Sequence, residues 1–271
     1  MEDFKRTERL TALTQILVDN PYTLFPLRGF TERFQVAKST LSEDVSIIKS
    51  VFKRLNLGRV ETVTGVAGGI RYIPYIKEDE EKEMLTQIAS ELSRGERILP
   101  GGFIYMTDLI FSADIAWRVG KIFASKFIDK RPDYIITIET KGIPIAMMTA
   151  RAFNVPLVTI RRNTRVTEGS VVTINYVSGS SGKIQTMSLS RRALPEGSKV
   201  VFIDDFMKAG GTAKGVLELM KEFKVEVAGV GVLVETAHPG DKLIDDYLSL
   251  LLLEKVDERN KKVVIRPSHQ A

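Results

Sequence analysis

Apolar residues recur at helical spacing near the start of the chain, where Leu10, Leu13, Ile16 and Leu17 predict an amphipathic helix over Arg6 to Val18, ended by Asn20-Pro21. A short helix over Leu27 to Phe34, a turn over Gln35 to Ala37 and a longer helix over Ser39 to Leu55 follow, the last with Leu41, Val45, Ile48 and Phe52 on one face. Beyond Gly58 the pattern changes from helical to alternating. RVETV and IRYIP, joined by the glycine-containing TGVAGG, predict a hairpin. Helix, helix, turn, helix and hairpin in that order make a winged helix.

The acidic run Glu78 to Glu83 marks a sharp shift in composition, and Met84, Leu85, Ile88 and Leu92 continue it at helical spacing, so it serves as both a boundary and a helix start. Two domains are expected, 1–77 and 78–271. In the second, strand patterns over Tyr134 to Ile138, Pro156 to Ile160, Val200 to Ile203, Val225 to Val234 and Tyr247 to Leu253 alternate with helical stretches near Ile145 to Phe153 and Ala213 to Phe223. That alternation predicts an α/β fold with a mainly parallel sheet. VVTINYVSGSSGKIQTMSLSRR interrupts it as two alternating strands linked by Ser178 to Gly182.

Composition removes several function classes. With no cysteine and only His238 and His269, neither a disulfide framework nor a thiolate or histidine-rich metal centre is available, and no resident metal is expected. MEDFKRTERL lacks the apolar core of a signal peptide, and no run of ~18 apolar residues appears, so a cytoplasmic protein without a membrane partner is expected. Charge is unevenly placed. Residues 1–77 hold twelve Lys or Arg against eight Asp or Glu, most of the net +5. From Arg151 to Arg192, Arg151, Arg161, Arg162, Arg165, Lys183, Arg191 and Arg192 face only Glu168, a second basic zone suited to phosphate-bearing partners.

The most specific chemistry lies in Val200 to Thr212, VVFIDDFMKAGGT. In an open α/β sheet, ligands bind beyond the carboxyl ends of the strands, which puts Asp204 and Asp205 where they can accept from vicinal hydroxyls. Gly210 and Gly211 let backbone N–H groups approach a phosphate; Thr212 adds a hydroxyl and the following helix a positive N-terminus. Together these describe a ribose 5-phosphate site.

This segment resembles the phosphoribosyl-pyrophosphate (PRPP) signature of type I phosphoribosyltransferases. The resemblance implies that the acidic pair holds ribose hydroxyls, that Phe206, Met207, Lys208, Ala209, Gly210, Gly211 and Thr212 hold the 5-phosphate, and that Thr140, Lys141 and Gly142 receive the pyrophosphate, with or without Mg²⁺. Met207 and Lys208 depart from the small or hydroxyl residues that the family prefers, and Phe206 stands where an aliphatic residue is usual. Phe206 could stack on a purine and Lys208 adds a cation, which suits ppGpp as a ligand competing with PRPP. The linker Ser178 to Gly182 matches the place of the family's mobile loop, and Glu235 to Pro239 the place where the base is recognised.

FTERFQVAKSTLSEDVSII resembles the helix-turn-helix of winged bacterial repressors, with Gln35 replacing the usual turn glycine. On that resemblance Lys38, Ser39, Thr40 and Ser42 are expected to meet base edges of double-stranded operator DNA, Arg6, Arg9, Lys49, Lys53 and Arg54 to meet phosphates, and Arg59 or Arg71 to set the wing against the minor groove. A helical cap or dimerisation domain would use the same apolar faces. The combination resembles the purine operon repressors of Gram-positive bacteria over nearly the whole chain. It implies a homodimeric, non-catalytic repressor of purine biosynthesis and transport genes, released from DNA by PRPP. A catalytically active xanthine or adenine phosphoribosyltransferase with an appended domain is the main alternative; an RNA-binding regulator is a weaker one.

Overall fold

In the computed structural model, residues 4–65, 68–163, 169–177 and 182–268 are described. Residues 66–67, 164–168 with Arg165 and Glu168, 178–181 and 269–271 with His269 lie outside the described residues. The chain divides into two compact units: Met1–Lys77 with Arg151–Asn154, and Glu78–Ala150 with Val155–Ala271.

The first unit contains helices α1 (Arg6–Asp19), α2 (Leu27–Phe34) and α3 (Lys38–Leu55), then an antiparallel hairpin of β1 (Arg59–Val63) and β2 (Gly69–Ile73). The apolar face read from α3 is buried in full: Leu41, Val45, Ile48 and Phe52 pack with Leu13, Leu17, Phe30 and Phe34 in one cluster. Gln35 takes the role that a glycine has in many helix-turn-helix motifs. It adopts left-handed backbone with φ 52° and ends α2, its N–H donating to the Thr31 carbonyl.

One polar pair is buried beneath this cluster's surface. The carboxylate of Asp44, fully buried on α3, accepts from Arg9 Nε at 2.8 Å and from Arg6 Nε at 3.2 Å, and Arg9 is itself 7% exposed. One sequence expectation changes as a result: Arg9 is not a surface cation available to a phosphate. Helical periodicity alone places Asp44 beside Leu41 and Val45 on the inward side, where a carboxylate persists only with a partner.

The second unit runs α4 (Glu78–Leu92), a short hairpin of β3 (Ile98–Leu99) and β4 (Phe103–Ile104), α5 (Thr107–Ile110), α6 (Ala113–Lys126), β5 (Tyr134–Ile138), α7 (Ile143–Phe153), β6 (Leu157–Ile160), β7 (Val171–Val177), β8 (Ile184–Ser190), β9 (Lys199–Met207), α8 (Gly211–Glu222), β10 (Glu226–Thr236), β11 (Leu248–Asp257) and β12 (Lys262–Pro267). Six strands form one sheet in the order β12-β11-β10-β9-β5-β6, parallel except for β12, and β7 pairs with β8 in a separate antiparallel hairpin. Val200 to Ile203 are fully buried, as a strand covered on both faces requires.

Strand β9 extends beyond the expected end at Ile203, and α8 begins before the expected Ala213. The reason is pairing: after a register shift between Val227 and Gly229, β10 stays paired with β9 as far as Met207, so the acidic pair lies inside the strand. The short strands β3, β4 and β12 and the helix α6, whose pattern Gly120 interrupts, were not anticipated from the sequence.

The Arg9–Asp44 pair gives a direct test of the first unit. Asp44→Ala strands a buried guanidinium and is expected to destabilise the winged helix by about 3–5 kcal/mol in denaturant unfolding, whereas Arg9→Met with Asp44→Leu recovers most of that loss. A single variant costing under about 1 kcal/mol would show the pair to be dispensable.

Candidate functional site

The central strands set the site. β5 precedes β6 on one side in space and β9 on the other, so the chain reverses its direction of winding between β5 and β9. This is the switch point at which an open α/β sheet forms a crevice. Register sharpens it: β5 pairs with β9 only from Tyr134↔Val200 to Ile136↔Phe202, while β10 holds β9 through Val232↔Asp204 and Val234↔Phe206. Past Phe202 the two strands part. A cavity of about 560 Å³ opens there, lined by Glu139, Thr140 and Lys141 beyond β5 and by Asp204 through Thr212. All the expected effector residues line it except Gly142, which packs against Thr137 and Asp204.

Gly142 is required by close packing. A Cβ at this position would sit 2.6 Å from Thr137 Oγ1 and 2.9 Å from Asp204 Oδ1, so the loop after β5 can settle over the carboxylate only without a side chain. The buried Thr137 hydroxyl has no hydrogen-bond partner among the described residues. Successive strand residues point to opposite faces, and the two aspartates differ accordingly. Asp204 is buried at 7% exposure and its Oδ1 accepts from the Asp205 N–H at 2.9 Å; Asp205 is half-buried, closer to the mouth.

Burial raises the pKa of both carboxyls. For Asp204 desolvation dominates and the adjacent Asp205 charge reinforces it; for Asp205 desolvation is opposed by Asp204's hydrogen bond, then by Lys141 and Arg162. The site therefore holds negative charge at a cost, and a ligand hydroxyl donating to either oxygen relieves it. On the opposite wall, Gly210 takes left-handed backbone with φ 81° to turn the chain into α8, leaving the helix N-terminus and the Thr212 hydroxyl at the cavity.

Met207, which breaks the small-residue preference, is only 4% exposed and belongs to the core with Ala213 and Ile244. Lys208 is exposed and Phe206 half-buried; both also line an adjoining cavity of about 590 Å³, with Leu99, Phe103, Ile104, Met106, Thr236 and His238. Phe206 thus stands between two spaces. Arg162 was read from sequence as part of a basic zone, but it lines the first cavity, and its N–H donates to Glu139 Oε1 at 2.6 Å; Arg161 lies 3.5 Å from Glu139 Oε2. Glu139, Arg162 and Asn163 were missed as site residues. Their only signal is position after the parallel strands β5 and β6.

On the winged helix, Lys38, Ser39 and Ser42 are exposed and Thr40 half-buried at the start of α3. The Ser42 hydroxyl donates to the Lys38 carbonyl at 2.8 Å. Lys53 and Arg54 are exposed in the last turn, and Lys49 Nζ donates to Thr62 Oγ1 of β1 at 2.7 Å, tying α3 to the wing. Arg6 is shared between Glu43 and Asp44. Arg59 and Arg71 both pair with Glu61, at 2.9 and 2.8 Å, so the wing presents a fixed triad with a net single positive charge.

Comparison with known proteins adds the lineage. Residues 5–74 match the family described as "Bacterial purine repressor, N-terminal", and residues 111–271 match "Phosphoribosyl transferase domain". The chain is 47% identical over 263 residues to the purine biosynthesis transcriptional repressor PurR of Bacillus subtilis, covering 97% of this chain and 92% of that one. It is 41% identical to the purine biosynthesis transcriptional activator PurR of Lactococcus lactis, covering 97% of each. A xanthine phosphoribosyltransferase of Lactococcus lactis is 32% identical over 155 residues, 56% of this chain and 79% of the enzyme. The adenine phosphoribosyltransferase of Rhodothermus marinus shares the fold, with TM-score 0.54 at 18% identity over 63% of this chain and 99% of that one. The chain therefore belongs to the bacterial purine repressor family of transcriptional regulators, in which a winged helix precedes a phosphoribosyltransferase domain.

Proposed function

We propose that this protein is a cytoplasmic, homodimeric repressor that binds operator DNA of purine biosynthesis and transport genes through its winged helix and is released by PRPP bound in its second unit. The observation that carries the effector assignment is the convergence, in one crevice, of Asp204 and Asp205 with the Lys208–Thr212 loop on one wall and Thr140 and Lys141 on the other. That set of groups suits a ribose with a phosphate at one end and a pyrophosphate at the other. Mg²⁺ is proposed as an optional companion of the pyrophosphate rather than a resident ion. PRPP acts by linkage: it releases the operator to the extent that it binds the DNA-free state more tightly.

Phe206 and Lys208, shared by both cavities, support a second ligand, the guanine nucleotide ppGpp, which displaces PRPP and so opposes induction. Stacking contributes about 0.5–1.5 kcal/mol, enough to tune competition. The alternative of an active phosphoribosyltransferase is favoured by one observation, the adjoining cavity of about 590 Å³ next to the PRPP-sized crevice. Operator binding and pyrophosphate release, measured side by side with PRPP and a panel of purine bases, decide between them. PRPP-dependent loss of operator binding without base-dependent pyrophosphate release is expected.

Asp204→Asn and Asp205→Asn are expected to retain operator binding but lose release by PRPP; normal release by both would remove the acidic pair from the site. The same variants carry a stability signature. Because the folded-state pKa of Asp204 is raised, the stability linked to its neutral form is present below the ordinary carboxylate range and is lost as pH rises through the raised value. Asp204→Asn should therefore unfold at a higher temperature than the wild type near neutral pH, with the gap closing as pH falls from the raised value toward the ordinary carboxylate value of about 4.

For the DNA interface, Lys38→Ala and Thr40→Ala are each expected to cost about 1–3 kcal/mol of discrimination between operator and unrelated duplex. Lys53→Ala should weaken binding to both alike and reduce the salt slope by about one unit. Unchanged operator affinity after removal of residues 1–77 would overturn the DNA assignment. In a competition titration, ppGpp is expected to displace PRPP, and Phe206→Ala to weaken ppGpp more than PRPP; equal weakening would exclude a stacking role.

A further inference from the structure

Three consecutive carbonyls of the phosphate loop are each held by a donor. The Lys208 carbonyl accepts from Lys242 Nζ at 2.6 Å and lies 3.2 Å from the Thr236 hydroxyl, the Ala209 carbonyl accepts from the Leu243 N–H at 2.9 Å, and the Gly210 carbonyl from the Lys214 N–H of α8 at 2.9 Å. In a trans peptide the carbonyl and the following N–H point in opposite directions. Turning these three carbonyls to protein donors therefore turns the N–H groups of Ala209, Gly210 and Gly211 the other way, and all three residues line the cavity.

Two of the three ties come from neighbouring residues, Lys242 and Leu243, in the segment after β10. Lys242 also anchors that segment. Its ammonium donates to the Thr236 carbonyl at 2.5 Å and lies 3.5 Å from Thr236 Oγ1, and the Thr236 hydroxyl in turn donates to the His238 carbonyl at 2.8 Å. An ammonium has three donors and no acceptor, and three oxygens occupy it here. A hydrogen bond from a charged donor is stronger than a neutral one, so the Lys208 carbonyl has little freedom to swing toward the cavity, where it would repel a phosphate.

We propose that Lys242 is a positioning residue for the anion loop, presetting the Ala209, Gly210 and Gly211 N–H groups for a phosphate monoester, the 5-phosphate of a ribose ligand. The proposal rests on the effector reading given above. It assigns the work to a residue that does not line the cavity, and it separates the two ends of the ligand: the monoester depends on Lys242, the pyrophosphate on the loop after β5.

The test is calorimetric titration of the full-length chain with ribose 5-phosphate, with pyrophosphate and with PRPP. Lys242→Met is expected to weaken ribose 5-phosphate and PRPP about tenfold while pyrophosphate stays within about twofold. Lys242→Arg should restore most of the loss, because a guanidinium can donate to the same carbonyl. Ribose 5-phosphate binding by Lys242→Met equal to wild type overturns the inference. So does a parallel loss of pyrophosphate binding with a lowered unfolding temperature, the mark of a purely structural lysine. A wild-type chain that binds neither ribose 5-phosphate nor PRPP overturns the effector reading and this inference with it, whereas a responsive wild type with an unaffected variant removes this inference alone.

Discussion

Strand β9 is paired with β10 from Lys199 to Met207, with one register shift, but its pairing with β5 stops at Phe202, and that asymmetry places the crevice. A strand held on one edge stays straight and extended; released on the other edge, it borders a crevice instead of another strand. Asp204 and Asp205 fall just past the release point, so their carboxylates enter low-dielectric surroundings with the sheet as a rigid floor. Gly142 then closes over Asp204 because nothing larger fits. Extending the β5 pairing by two residues would bury the acidic pair against a strand and leave no cavity.

The two units treat buried carboxylates in opposite ways. Asp44 in the winged helix is compensated from within the chain by Arg9 and Arg6, and the pair pins α1 to α3 regardless of any ligand. Asp204 and Asp205 sit one residue apart and repel; Lys141 and Arg162 offset only part of the cost of desolvation. The charge in the winged helix is neutralised in place, whereas the charge at the crevice is left in need of a partner. Free energy withheld from folding at the second site is available to binding, which is the condition for an effector to shift an equilibrium.

Much of this was legible from sequence. Hydrophobic periodicity located α1, α2 and α3 to within a residue or two, and Tyr134 to Ile138 to the residue, because each element buries one well-marked face or run. The acidic pair and the Gly-Gly-Thr turn located the crevice. The end of β9 was not legible, since polar Asp204 and Asp205 read as a strand's exit while the β10 ladder carries the strand past them. Ion pairing was not legible either. Arg9 and Arg54 look alike in a one-dimensional charge count, yet one is buried against Asp44 and the other exposed. Lys242 carried no signal at all, because its role is to hold a carbonyl 34 positions away.

The atypical residues Phe206, Met207 and Lys208 stand in a signature whose Gly-Gly-Thr turn still opens α8 at the cavity. Alternation along β9 sends Met207 into the core, where it replaces a small side chain with close packing against α8 and Ile244. The residues on either side are thereby directed outward, Phe206 to the wall between two cavities and Lys208 to the exposed rim. The backbone N–H groups proposed to meet a phosphate are indifferent to these changes, since the loop's geometry is held by its carbonyl partners and by Gly210. Side chains around the site can therefore diverge toward a different ligand end or a different use of binding energy while the anion nest stays intact. A regulator and an enzyme can share that nest because binding energy does separate work in each, stabilising a transition state in one and one conformational population in the other.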